Sequence, residues 1–170
     1  MRPIIIAIVG NSGSGKTYMA EFLRTKLNVP VIVSYTTRPK RPEEVNGIDH
    51  LFINESQKPD RSAMLAYTRF GGYEYSAVHS QVPQNGVCSH IIDERGLEEI
   101  TRNFNITYNI VAVLITCPED VLTQRCIPTA RIQRGRERKH LNEKFYDCVI
   151  RNDASKEEFE YKIMCKFNKL

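Results

Sequence analysis

Gly10-Asn11-Ser12-Gly13-Ser14-Gly15-Lys16-Thr17 fills every fixed position of the pattern G-x-x-x-x-G-K-[ST], and its flanks decide how it folds. Before it, Ile4-Ile5-Ile6-Ala7-Ile8-Val9 is a short, almost wholly apolar run rich in β-branched residues, the composition of a strand buried inside a parallel sheet. After it, Met19, Phe22, Leu23 and Leu27 return at helical spacing. Strand, glycine loop and helix in that order form the context in which this pattern cradles a polyphosphate.

The residue types follow from that task. A polyphosphate needs many backbone N–H donors converging on it, and a β-carbon in the tight loop would hold it away; Gly10, Gly13 and Gly15 remove that obstruction. The helix starting near Gly15 aims unsatisfied N–H groups and its positive dipole end at the same anion. Lys16 can reach the β- and γ-phosphate oxygens, and the Thr17 hydroxyl can ligate Mg²⁺. Gly10, Ser12, Gly13, Ser14, Gly15, Lys16 and Thr17 are therefore the candidate residues for a nucleoside triphosphate and its metal, and the open question is what receives the phosphate.

The 170 residues fit one domain able to bury a core without disulfides. No apolar run approaches the ~20 residues of a membrane helix, and the N-terminal run of six passes straight into the glycine loop, which is not how a signal peptide ends. Cys88, Cys117, Cys126, Cys148 and Cys165 form no C-x-x-C pair, so free thiols in a reducing cytoplasm are expected, with no membrane partner and no metal beyond Mg²⁺. The net charge of +4 is local: Arg38, Lys40 and Arg41 form one basic cluster, and Arg125, Arg131, Arg134, Arg136, Arg138 and Lys139 another. Without these nine and the intervening Glu137, the 24 basic and 20 acidic residues fall to 15 and 19. Two compact basic sites suit two facing nucleotides better than a nucleic-acid duplex, so no nucleic-acid partner is expected.

Along the chain, strand and helix alternate. Val31-Ile32-Val33 reads as a second strand, and residues 34–44, punctuated by Pro39 and Pro42, as an irregular segment at the sheet's C-terminal edge. A short strand at 51–53 and a hairpin of 64–70 with 73–77 across Gly71-Gly72 follow, so residues 34–85 read as an insertion over the nucleotide edge. The core resumes with a strand at 87–92 and a helix carrying Leu97, Ile100 and Phe104. The strand at 110–115 is apolar throughout and is expected at the centre of the sheet. Pro118-Glu119-Asp120 starts a helix through Arg125 that Pro128 breaks, and an arginine-rich helix follows Thr129. A last strand at 148–150 precedes a helix from about Asp153 with Phe159, Ile163, Phe167 and Leu170 on one face. The pattern is that of an α/β chain with a parallel sheet.

The segment from Ser34 to Phe52 is the candidate acceptor site. Two arginines three residues apart on a proline-braced segment can clamp one phosphate with forked donors, which lysine does less well. Ser34, Thr36, Thr37, Arg38, Arg41, Glu44, Gly47, Asp49, His50 and Phe52 fit the pattern S-x-T-T-R-x-x-R-x-x-E-x-x-G-x-D-[YH]-x-F, in which the chain resembles the guanylate kinase family. Phe70-Gly71-Gly72-Tyr73-Glu74-Tyr75 is similar to the family's F-x-G-x-x-Y hairpin. The resemblance spans nearly the whole chain. It implies a P-loop NTPase three-layer sandwich in one domain: core 1–33, 86–124 and 138–170, monophosphate-binding insertion 34–85, and lid 125–137. It also implies that Ser34, Arg38, Arg41, His50 and Tyr75 hold the acceptor phosphate, with Glu44 orienting an arginine. Asp93 meets the acceptor base, influences Mg²⁺ through water, or caps the following helix.

The same resemblance marks departures. Ala66 stands where the family places a glutamate that reads guanine, Ala77 where it places a small hydroxyl residue, and Ile91 where it places an aspartate. The lid is short, with Arg125 and Arg131 at its two arginine positions as candidate catalytic residues and Arg134 and Arg136 in reserve. The expected activity is phosphoryl transfer from ATP to a nucleoside monophosphate, GMP or dGMP first. The alternatives are another monophosphate, a ribose phosphate, or a binding module without catalysis; the last usually has a damaged phosphate loop, whereas Lys16 and Thr17 are intact here.

Overall fold

The computed structural model describes residues 2–137 and 139–168, apart from the side chain of Arg134. Leu170 of the expected helix face, Arg138 of the second basic cluster and the Arg134 side chain thus lie outside the described residues.

The core is a five-stranded sheet, every pairing parallel, in the order β2 (Val31–Ile32), β7 (Val87–Ile91), β1 (Ile4–Gly10), β8 (Asn109–Thr116), β9 (Cys148–Arg151). β1, not β8, is the middle strand. Apolarity alone could not separate the two positions: Ile5 to Val9 are wholly buried, whereas Ile110, Val111 and Leu114 of β8 are only half-buried. Side chains of β1 alternate between the two faces, as strand geometry requires. Ile5, Ala7 and Val9 pack with Leu97 and Ile100 of α2 (Glu94–Phe104). Ile6 and Ile8 pack with Met19 and Leu23 of α1 (Lys16–Leu27) and with Phe159 and Ile163 of α5 (Lys156–Phe167). Helices on both faces make the three layers that the resemblance implies.

Residues between β2 and β7 build a second sheet in the order β4 (Leu51–Phe52), β3 (Tyr35–Thr36), β6 (Tyr73–Val78), β5 (Met64–Phe70). The hairpin forms as read, with φ of 60° at Gly71 and 84° at Gly72, a pair of left-handed residues that matches the twist of the strands. This sheet is fastened to α2: the Tyr67 N–H donates to a Glu99 carboxylate oxygen at 3.1 Å, the Thr68 hydroxyl donates to Asp93 Oδ2 at 2.8 Å, and Leu65, Ala66 and Ala77 join the core on that side.

The lid region differs from the reading in one respect. α3 (Glu119–Gln124) ends before Arg125, and Pro128 is not what stops it. Cys126 adopts a left-handed φ of 57°, the Cys126 N–H bonds Thr123 O and the Ile127 N–H bonds Leu122 O, the paired closure of a Schellman cap. Nothing in a cysteine announces that conformation, which glycine usually supplies. Pro128 instead precedes α4 (Thr129–Arg136), where its missing N–H costs nothing. α5 begins at Lys156 rather than at Asp153 because the Ser155 hydroxyl caps it, accepting from Glu158 N at 3.2 Å.

Candidate active site

Gly10, Gly13 and Gly15 carry φ of 153°, 81° and 108°. Their need for glycine is set from behind the loop as well as in front. A β-carbon on Gly10 would lie 2.4 Å from Ile115 O, one on Gly13 2.7 Å from the Ile127 side chain, and one on Gly15 2.5 Å from Asn152 Nδ2. The loop is thereby seated on β8 and on the residues that follow α3 and β9, and Gly15 is the residue before α1. The Lys16 ammonium donates to Gly10 O at 2.8 Å and Asn11 O at 2.9 Å, spanning the loop it serves.

Asn152, directly after β9, has a structural role that sequence reading missed. It is 7% exposed, donates from Nδ2 to Ser14 O at 2.8 Å, and accepts at Oδ1 from Arg125 Nη2 at 3.0 Å. The available signal was its position: a polar residue at the carboxyl end of a parallel strand, where α/β sheets bind ligands. Asn152→Ala removes both bonds and leaves Ser14 O unpaired in a buried site, so we expect a stability loss of about 1–3 kcal/mol. Chemical denaturation with and without ATP measures it; an unchanged midpoint would show that the bond to the loop contributes nothing.

The lid arginines separate. Arg131 lines the large cleft together with Lys16, Thr17 and Arg41, and also a smaller recess with Ser12 and Gly135. Arg125 is held by Asn152, with Ala154 O and Cys117 Sγ at 3.5 and 3.6 Å, so it braces the loop from the side. Arg136 pairs with Glu119 on an exposed surface.

Opposite the loop stands the acceptor segment. Arg38 and Glu44 form a two-pronged ion pair at 2.6 and 3.0 Å, and their side chains are only 11% and 10% exposed. The same carboxylate accepts the Arg41 N–H at 2.8 Å and lies 3.6 Å from the Arg41 guanidinium, so Glu44 orients both arginines rather than one. Hydrogen bonding from Arg38 pushes the Glu44 carboxyl down to about 2, and Arg38 is raised in return. Thr36 at the end of β3 and Thr37 after it brace this segment: the Thr36 hydroxyl accepts from Arg38 N and donates to Glu74 O, and Thr37 Oγ1 accepts from Glu74 N. His50 packs edge-on against Tyr75 and Phe52, and burial, with the nearby Arg38 cation, lowers its pKa.

A cleft of about 1140 Å³ joins Lys16 and Thr17 to Arg38 and Arg41. It continues, past Ser34, His50 and Tyr75, into a cavity of about 180 Å³ lined by Ala66, Thr68, Ala77, Ile91 and Asp93 among others. The three departures noted in the sequence thus line one cavity, Ala66 and Ala77 from the second sheet and Ile91 from β7. Asp93 caps α2, its Oδ1 accepting the Gly96 N–H at 2.8 Å, and its carboxylate, held at Oδ2 by Thr68, also lines the cavity.

Comparison with known proteins agrees with this geometry. The chain is 29% identical to the guanylate kinase of Thermotoga maritima over 180 residues, covering 95% of this chain and 78% of that one. It is 30% identical to that of Rickettsia prowazekii over 169 residues, covering 88% and 83%. The crystal structure of guanylate kinase from Anaplasma phagocytophilum superposes with a TM-score of 0.70 at 20% identity, covering 97% of this chain and 85% of that chain, a likeness of fold. The family description "Guanylate kinase" matches residues 1–164, and with that extent, on top of an intact phosphate loop and acceptor segment, the chain belongs to the guanylate kinase family.

Proposed function

We propose that the chain transfers the γ-phosphoryl group of ATP to GMP or dGMP, giving ADP and the nucleoside diphosphate, in the cytoplasm. One observation carries this: a single cleft has the phosphate loop at one end and the Arg38–Arg41 clamp at the other, with a base-sized cavity beyond the clamp. The acceptor phosphate is already anionic and needs no strong base, so the protein's task is to align attacking and leaving oxygens and neutralise charge. Lys16 and Arg131 reach the transferring group from two sides, Arg38 and Arg41 hold an acceptor that would otherwise be repelled, and Ser34, His50 and Tyr75 complete its seat. Arg125 acts on the loop through Asn152. Thr17 lines the cleft beside Lys16 and offers one hydroxyl oxygen, a donor set that suits Mg²⁺, which keeps its waters and takes most other oxygens from phosphates. Bound there, the metal supplies charge neutralisation of the β- and γ-phosphate oxygens. Asp93 is the carboxylate available to the base, an acceptor suited to the adjacent N–H donors of the guanine edge. No helix among the described residues is long and apolar enough to cross a membrane.

An ATP-consumption assay with Mg²⁺ across GMP, dGMP, AMP, CMP, UMP, dTMP and ribose 1,5-bisphosphate tests the reading. The expected result is turnover with GMP and dGMP well above the rest. ATP binding without turnover of any acceptor would overturn it.

A further inference from the structure

His90 lies on β7, an inner strand with β2 on one side and β1 on the other, and is 2% exposed. An apolar residue would be cheaper there; an imidazole in such a place must repay its desolvation through a specific bond. The bond is to Ser34: His90 Nε2 and Ser34 Oγ are 3.1 Å apart. The other ring nitrogen, Nδ1, is buried without a hydrogen-bond partner. Ser34 in turn sits where the cleft opens into the inner cavity, and its backbone is fixed by the Leu51 N–H on its carbonyl at 2.9 Å.

We propose that His90 is a positioning residue for the acceptor phosphate: as the Nε2–H tautomer it donates to the Ser34 hydroxyl oxygen, so that the single hydroxyl hydrogen of Ser34 points to the phosphate. This rests on the monophosphate acceptor proposed above. The argument is one of hydrogen count. A phosphate dianion only accepts, and a serine has one hydrogen to give. Were Ser34 to spend it on a bare Nε2, its oxygen would face the phosphate with lone pairs only, and a buried Nδ1–H would be left without an acceptor. Orphaned buried N–H groups are rarer than under-used acceptors, so the unpartnered Nδ1 favours the lone pair there and the proton on Nε2. Burial also drives the ring's pKa down to about 4, which keeps it neutral with one N–H to place.

Side-chain ¹H–¹⁵N correlation spectra of the labelled full chain at neutral pH distinguish the tautomers directly. The expected result is a neutral His90 with its proton on Nε2, and a shift of that resonance when GMP is added. In steady-state kinetics, His90→Leu raises the KM for GMP about tenfold, the scale of one hydrogen bond to a charged group, with the KM for ATP unchanged. His90→Gln, whose amide N–H can stand in for Nε2–H, restores most of the loss. Ser34→Ala raises the same KM by a similar factor, and the His90→Leu/Ser34→Ala double variant adds nothing further. A proton on Nδ1, a charged imidazolium, or additive effects of the two substitutions would overturn the proposal. A wild-type chain that leaves GMP untouched would overturn the acceptor assignment instead, and the tautomer would still be read in the free protein.

Discussion

Lys16→Ala lowers kcat for phosphoryl transfer by about 10³-fold, the cost of removing one preorganised charge from a site where negative charge is redistributed. In the free protein its ammonium spans the loop between Gly10 O and Asn11 O, so it sits beside the place where the β- and γ-phosphates would lie. The fold does not depend on it to the same degree. The loop is seated by the close packing behind its glycines and by Asn152, and α1 is held by Met19, Ala20 and Leu23, which are buried in the core. The alanine variant should therefore melt within a few degrees of the wild type while losing turnover. Lys16→Arg separates charge from reach: a longer, planar group cannot follow the same path over the loop, so it recovers little. Turnover by Lys16→Ala within tenfold of wild type would show that the loop lysine does not neutralise the transferring phosphate.

Much of this arrangement was legible in the chain because local chemistry and global fold agree. The glycine loop, its flanking strand and helix, and the Gly71-Gly72 hairpin each carry residues that fit one backbone conformation, and each appears where it was read. What escaped reading depends on contacts across long separations. Asn152 stands 138 residues from the Ser14 carbonyl it supports, and no local pattern distinguishes it from an ordinary turn asparagine. The left-handed Cys126 is favoured by the cap it completes, not by its own side chain. The position of β1 at the centre of the sheet rests on which strands flank it, and an apolar run as uniform as that of β8 carries no such information. Asp93 was ambiguous for a physical reason: a carboxylate has several lone pairs, and here one oxygen serves the helix while the other, held by Thr68, borders the cavity.

The pairing of Arg38 with Glu44 has the second large expected effect. Glu44→Ala strands a guanidinium whose side chain is 11% exposed, and removes the group that aligns Arg41 as well. Breaking a buried pair from one side typically costs about 3–5 kcal/mol, part of it felt as stability and part as a misaligned clamp. We expect the KM for GMP to rise about 100-fold, with a smaller change in kcat, since the clamp acts in bringing up the acceptor. Acid titration separates the electrostatic part. The Glu44 carboxyl is lowered in the folded protein from 4.5 to about 2, so its contribution is fully present above the unfolded value and is lost as the pH falls through the folded one. That shift corresponds to about 3 kcal/mol at neutral pH. Glu44→Gln keeps the shape and one acceptor oxygen but has no charge to titrate. The stability advantage of wild type over Glu44→Gln is therefore full near neutrality and fades from about pH 4.5 towards pH 2, because protonating Glu44 turns the wild-type carboxyl into a neutral group like the amide. Denaturation curves of both proteins across that interval measure it. Parallel stability curves down to pH 2 would mean that the Arg38–Glu44 charge pair contributes no net stability, and that the clamp is held by the threonine and backbone bonds alone.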